Sequence, residues 1–194
     1  MVTHDSLMTL EAYARQREEF RAKVMAHKKT RKLHLGEHVT LIFEDELTIR
    51  YQIQEMLRAG KIFEEEGIQD ELEAYNPLIP DGSNWKATML IEYPDVEQRR
   101  HMLRKLKGAE KRVWVQVSDC SRVNAIADED LQREDEEKTS AVHFLRFELT
   151  REMIRSLKHG AALVIGIDHP AYRVAGETVG DAVRLSLIKD LRDS

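Results

Sequence analysis

A single cysteine, Cys120, stands among the 194 residues. No internal disulfide can form, and no thiolate cluster within the chain can hold zinc or an iron–sulfur centre. The longest apolar stretches, such as 161–167, fall far short of the ~20 residues a spanning helix needs. No GxSxG, P-loop or dinucleotide fingerprint is present, and there is neither an internal repeat nor a low-complexity linker. The opening residues carry His4 and Asp5 and then turn charged. That is not the form of a secretory signal, and with one cysteine it leads us to expect a cytoplasmic protein.

What is present is a globular composition, 42% hydrophobic and 34% charged, long enough to bury a sizeable core. The net charge of -5 is segregated. Bases outnumber acids over 15–32 and again over 99–112, while 128–137 is strongly acidic. An acidic total with few clustered aromatics argues against a dedicated nucleic-acid binder. The acidic run reads as a solvated helix or loop, with an electrostatic docking surface as the alternative.

Periodicity predicts an α+β chain forming a single domain. A helix is expected over 9–27 and a strand pair over 32–35 and 38–43, turning at Gly36 and Glu37. Two helices then follow within the block 43–80, the first ending at Gly60 and the second, over 62–75, stopped by Asn76-Pro77. Strands are expected over 86–93, 112–117, 122–126, 141–149 and 161–167. Helices fall between them at 96–106 and 151–157, the latter capped by Thr150, and a last helix at 181–191. The whole reads as a mainly antiparallel sheet of about five to seven strands with a helical N-terminal half packed on it. Its parts are a helical segment 1–30, a strand pair with two helices 31–80, the main sheet 81–175 and a C-terminal helix 176–194.

Chemistry-bearing residues are scattered. In the first central helix, Ile49, Ile53, Met56 and Leu57 form an apolar stripe, and Glu44, Thr48, Tyr51, Glu55 and Arg58 line the opposite face, flanked by Arg50. That varied polar face either binds a small ligand or partner or anchors neighbouring segments. An enzyme site would gather Tyr51, Glu55 and Arg58 with Lys86, His143 or His169. Strand alternation puts His143 on the face of Leu145 and Phe147, where a buried, hydrogen-bonded core histidine is the plain alternative. Asp168-His169-Pro170 closes a strand, as an oriented imidazole or simply as a turn. His34, Glu37 and His38 have the composition of a metal site but straddle a turn rather than a helix. Cys120 sits in a predicted hairpin without a local base.

The segments FEDELTIRYQIQEMLR (43–58), YNPLIP (75–80), EKTSAVHF (137–144) and DHPAY (168–172) resemble a bacterial family known as a domain of unknown function, number thirty-five-oh-one. The resemblance spans nearly the whole chain. It implies a cytoplasmic protein often encoded beside a rubrerythrin and an iron–sulfur oxidoreductase similar to heterodisulfide-reductase or glycolate-oxidase subunits. It carries over no catalytic residue and no cofactor. The expectation is therefore a non-catalytic accessory or binding protein of a redox or oxidative-stress system, with a rubrerythrin-like or iron–sulfur partner. An enzyme of unknown reaction and a metal-binding protein are the alternatives, and homo-oligomerisation stays open.

Overall fold

The computed structural model describes residues 1–192. Helix α1 (Leu10–Lys28) begins where the Thr9 side chain accepts from the Ala12 amide, satisfying one of the helix's free donors. Strands β1 (Lys32–Leu35) and β2 (Val39–Phe43) form the expected hairpin. Its turn needs Gly36: φ is +67°, and an added Cβ would lie 2.6 Å from the Tyr172 hydroxyl oxygen. Helix α2 (Glu46–Gly60) opens on a capping box between Asp45 and Thr48. Gly60 remains helical, and Lys61 at φ +51° takes the left-handed cap instead. Helix α3 (Glu65–Tyr75) starts later than expected and passes into a 3-10 turn, Asn76–Leu78, at Pro77.

The second half contains β3 (Asn84–Ile91), α4 (Val96–Lys105), a 3-10 turn (Ala109–Arg112), β4 (Val113–Val117), β5 (Val123–Asn124), β6 (Ile126–Ala127) and β7 (Val142–Glu148). It ends with α5 (Arg151–Lys158), β8 (Leu163–His169), β9 (Tyr172–Thr178) and α6 (Asp181–Ile188). The class is α+β, and the strand pairs named among the described residues are antiparallel. They form two sheets rather than one, ordered β1-β2-β3-β7-β6 and β5-β4-β8-β9, so the strand count exceeds the expected five to seven.

Two local features account for the difference. The strand expected over 122–126 breaks at Ala125, whose amide donates to Val113 O, so β5 pairs with β4 while β6 crosses to β7. β9 gave no clear pattern because most of its residues are exposed and Gly176 interrupts it at φ +135°. On the other side, the Tyr172 hydroxyl donates to Leu35 O at 2.5 Å and accepts from the His38 amide at 3.0 Å. The sheets are thus tied along both flanks over one core, which holds Leu41, Phe43, Trp85, Met89, Val115, Leu145, Phe147 and Ile165.

The helical layer has its own apolar cluster, in which Ile49, Ile53 and Leu57 of α2 meet Leu72 of α3 and Val2. Side-chain amides hold the leading segment over it. Asn76 accepts from the Val2 amide and donates to Val2 O, both at 2.9 Å. Gln54 does the same for Met8, at 2.7 and 3.2 Å.

Arg31 joins these layers. It is 1% exposed, and it donates to Phe43 O, Glu44 O and Ser186 O at 3.0, 3.1 and 3.2 Å. Its guanidinium also grips Asp190 with two bonds, at 3.1 and 2.6 Å. Burial nonetheless lifts the Asp190 carboxyl above the ordinary aspartate range. Replacing Arg31 by Ala leaves that carboxylate and three carbonyls without their partner. Urea unfolding of Arg31→Ala should show a loss of about 3–5 kcal/mol, and an unchanged midpoint would show that the cluster contributes no net stability.

Candidate metal centre

Alternation along β7 turns His143 inward beside Leu145 and Phe147, opposite Met89. The imidazole is 0% exposed, so both ring nitrogens must find partners inside the protein. Nδ1 lies 2.6 Å from Asp128 Oδ2. Nε2 lies 2.9 Å from both Thr139 Oγ1 and Ser140 O. Asp128 reaches this position because it follows β6 at φ +51° and pairs with Phe144 in both directions. Its amide donates to Phe144 O at 2.8 Å, and its Oδ1 accepts from the Phe144 amide at 2.9 Å. Nδ1 faces a carboxylate, and Nε2 is surrounded by oxygens, of which the Ser140 carbonyl can only accept.

Those oxygens include Glu110, carried by the 3-10 turn before β4. It is 2% exposed, its Oε2 lies 3.9 Å from His143 Nε2, and that oxygen has no hydrogen-bond partner. A buried acceptor left unmet is destabilising. Five buried side-chain polar atoms among the described residues lack a partner, and three of them belong to Glu110, Arg133 and Glu134. Glu110, Asp128 and His143 can bring one ligand atom each within 4.8 Å of the others, the one such group among the described residues.

The acidic run expected as a helix or loop is a loop from β6 to β7, closed by a bridge between Glu134 and Thr139. It docks beside the basic helix α4: Lys107 Nζ donates to Glu136 O at 3.0 Å, and Arg104 lies 4.0 Å from Glu137. A cavity of about 330 Å³ opens beside the site, lined by Arg133, Asp135, Lys138, Thr139 and Ser140.

The other candidate residues run to different partners. Glu55 accepts from the Tyr13 hydroxyl at 2.5 Å and from Arg17 at 2.8 and 3.1 Å. Hydrogen bonding to Arg17 and to Tyr13, together with the nearby charges of Arg17 and Arg58, holds its carboxyl below the usual glutamate range. Burial and Glu55 push the Tyr13 phenol well above its own. Tyr51 packs on Phe20 under Lys28. Glu44 accepts from Thr48 and from Thr88 of β3, Arg50 pairs with Glu46, and Arg58 is exposed. Lys86 reaches Pro77 O. His169 donates from Nε2 to Lys107 O and accepts the Ala171 amide at Nδ1, which is the turn-building role. His34 meets Thr40, and His38 stacks on Tyr93 with Nδ1 at Glu92 O, while Glu37 approaches His38 only to 3.8 Å. These three do not converge on a common point as the buried trio does.

Of the buried trio, only His143 was singled out by pattern. Asp128 was submerged in an acidic run. Glu110 carried a faint signal, as a lone acid among Lys105, Lys107, Lys111 and Arg112.

A family model described as "Protein of unknown function (DUF3501)" matches residues 1–191. The chain belongs to that family. No curated protein matches it. It is similar to a crystal structure described as a novel protein of unknown function from Burkholderia pseudomallei, with 56% identity and a TM-score of 0.94. The likeness covers 98% of this chain and 99% of that one.

Glu55 provides a pH test. Its folded pKa lies below the unfolded value, so its contribution is complete above about 4.3 and is lost as pH falls through the folded value. The melting temperature of wild type should exceed that of Glu55→Gln at neutral pH, and the gap should close on acidification. A gap independent of pH would show that the charge on Glu55 does not matter. At the buried trio, Glu110→Gln should stabilise the chelator-treated protein by about 1–3 kcal/mol, because an amide is less costly to bury without a partner than a carboxyl group. A loss of stability in that variant would mean the carboxylate is satisfied without a cation.

Proposed function

We propose that this chain binds a divalent transition-metal ion between His143 and Glu110. In this reading Asp128 fixes the imidazole from the far side and the 128–140 loop encloses the site. The observation that carries the proposal is the partnerless Glu110 Oε2, buried and 3.9 Å from Nε2. A cation between the two would give Oε2 a partner and replace the contacts of Nε2 to Thr139 and Ser140, with bonds of about 2.0–2.2 Å spanning 3.9 Å at a wide angle. A carboxylate on the outer ring nitrogen is the usual way a metal-binding histidine is oriented and made more basic. One imidazole with carboxylates, a hydroxyl and a carbonyl nearby, and no thiolate, favours zinc, manganese or ferrous iron over copper(I).

The setting of the ion is a finer proposal. The family resemblance points to a cytoplasmic, non-catalytic accessory of an iron–sulfur or rubrerythrin-type redox system, in which a reversibly held metal is chemically at home. A second reading, an enzyme using the ion on a small substrate, draws its support from the cavity beside Thr139 and Ser140. The polar face of α2 offers less for such chemistry, since Glu55 is already committed to Tyr13 and Arg17.

Zinc, manganese and ferrous ions added singly to chelator-treated, untagged protein test the proposal. At a hundredfold excess over Kd, a binding ion should stabilise the wild type by about 2.7 kcal/mol, read as a rise in melting temperature. Glu110→Gln should abolish the rise. No shift with any of the three ions, together with a metal-free native mass, would refute the site.

A further inference from the structure

The loop that brings Asp128, Thr139 and Ser140 to His143 also carries Arg133. Its guanidinium lies over the Phe144 ring, 4.6 Å from the centroid, next to His143 in the chain. Nη2 donates to Asp130 Oδ2 at 2.6 Å. Nε lies 3.3 Å from Asp128 Oδ1, within ion-pair distance, yet it is buried and has no hydrogen-bond partner. The Arg133 carbonyl accepts from the Ser140 amide at 2.9 Å, so Arg133 and the Ser140 carbonyl that faces Nε2 ride on paired arms of one loop. A fixed positive charge thus sits against Asp128, the carboxylate that orients the imidazole. It is held there by a ring face and a second carboxylate rather than by a bond of its own to Asp128.

We propose that Arg133 is a tethered counter-cation of the metal site. It offsets the charge of Asp128 when the protein carries no ion, and it opposes an incoming cation electrostatically. Binding an ion then moves the guanidinium away from Asp128 and shifts the loop, so metal occupancy is read out at the surface beside α4. By lowering affinity, the arginine also gives a site that loads and releases rather than one that holds its ion permanently. This inference rests on the metal reading above and specifies its regulation.

Zinc and manganese dissociation constants, measured by competition with a chromophoric chelator, test it on wild type, Arg133→Gln and Arg133→Lys. Removing the charge should tighten binding by roughly tenfold, within the usual range of such couplings, and Arg133→Lys should stay near wild type. Wild type that binds, with Arg133→Gln equal or weaker, overturns the role of Arg133 and leaves the site standing. If neither wild type nor Arg133→Gln binds either ion, both proposals fall. Wild type also gives an answer that needs no variant to fold. The Arg133 Nε–H resonance should move when zinc is added, and a resonance unmoved at saturation refutes the displacement.

Discussion

Arg31 has almost no contact with water, so its guanidinium has to find acceptors inside the protein. The acceptors it finds come from separate parts of the chain: the end of β2, the residue leading into α2, and both sides of the α6 terminus. None of these segments could shift without stranding a buried charge. The hairpin, the helical layer and the C-terminal helix are therefore held in one arrangement by a requirement that is electrostatic rather than apolar. Trp85 adds to the same tie, donating from the core to Leu187 O at 3.0 Å.

The same requirement is left unmet at the other end of the sheet. His143 is fully partnered, but Glu110 beside it keeps a bare oxygen, and Arg133 keeps a bare nitrogen a short way off. Opposite charges that do not complete each other's hydrogen bonds are poor structural devices, because each retains its desolvation cost. They make sense as an arrangement poised for a further charge. Asp128 reaches its position there in a left-handed conformation, φ +51°, which aspartate tolerates better than most residues.

Segregated charge along the chain turns out to serve the same region. The basic stretch around α4 receives the acidic loop, with Lys107 and Arg104 reaching Glu136 O and Glu137. These contacts are exposed and individually weak. Together they position a loop with only one sizeable apolar side chain of its own, Leu131, which is itself exposed. The basic run over 99–112 thus meets the acidic run within the molecule.

Local pattern was enough for much of the fold. The α+β class, the Gly36 turn, the cap at Thr150, the stop at Pro77 and the inward face of His143 depend on residues close in sequence. The break at Ala125 did not show, because five residues cannot reveal that their two halves pair with different sheets. β9 did not show because an exposed edge strand has no buried face to impose alternation. The polar face of α2 was visible as a pattern, yet only its neighbours reveal Glu55 as an anchor for α1. The buried trio was the least legible. Glu110, Asp128 and His143 come from a turn, a strand end and a strand, and nothing in their spacing marks them as neighbours. In the sequence by itself, periodicity and local hydrogen bonding point out the inward apolar positions, but not the burial of Arg31, Thr48, Tyr51 or Glu110. Only the tertiary structure decided which inward polar groups meet, because that depends on how the two sheets close over one core.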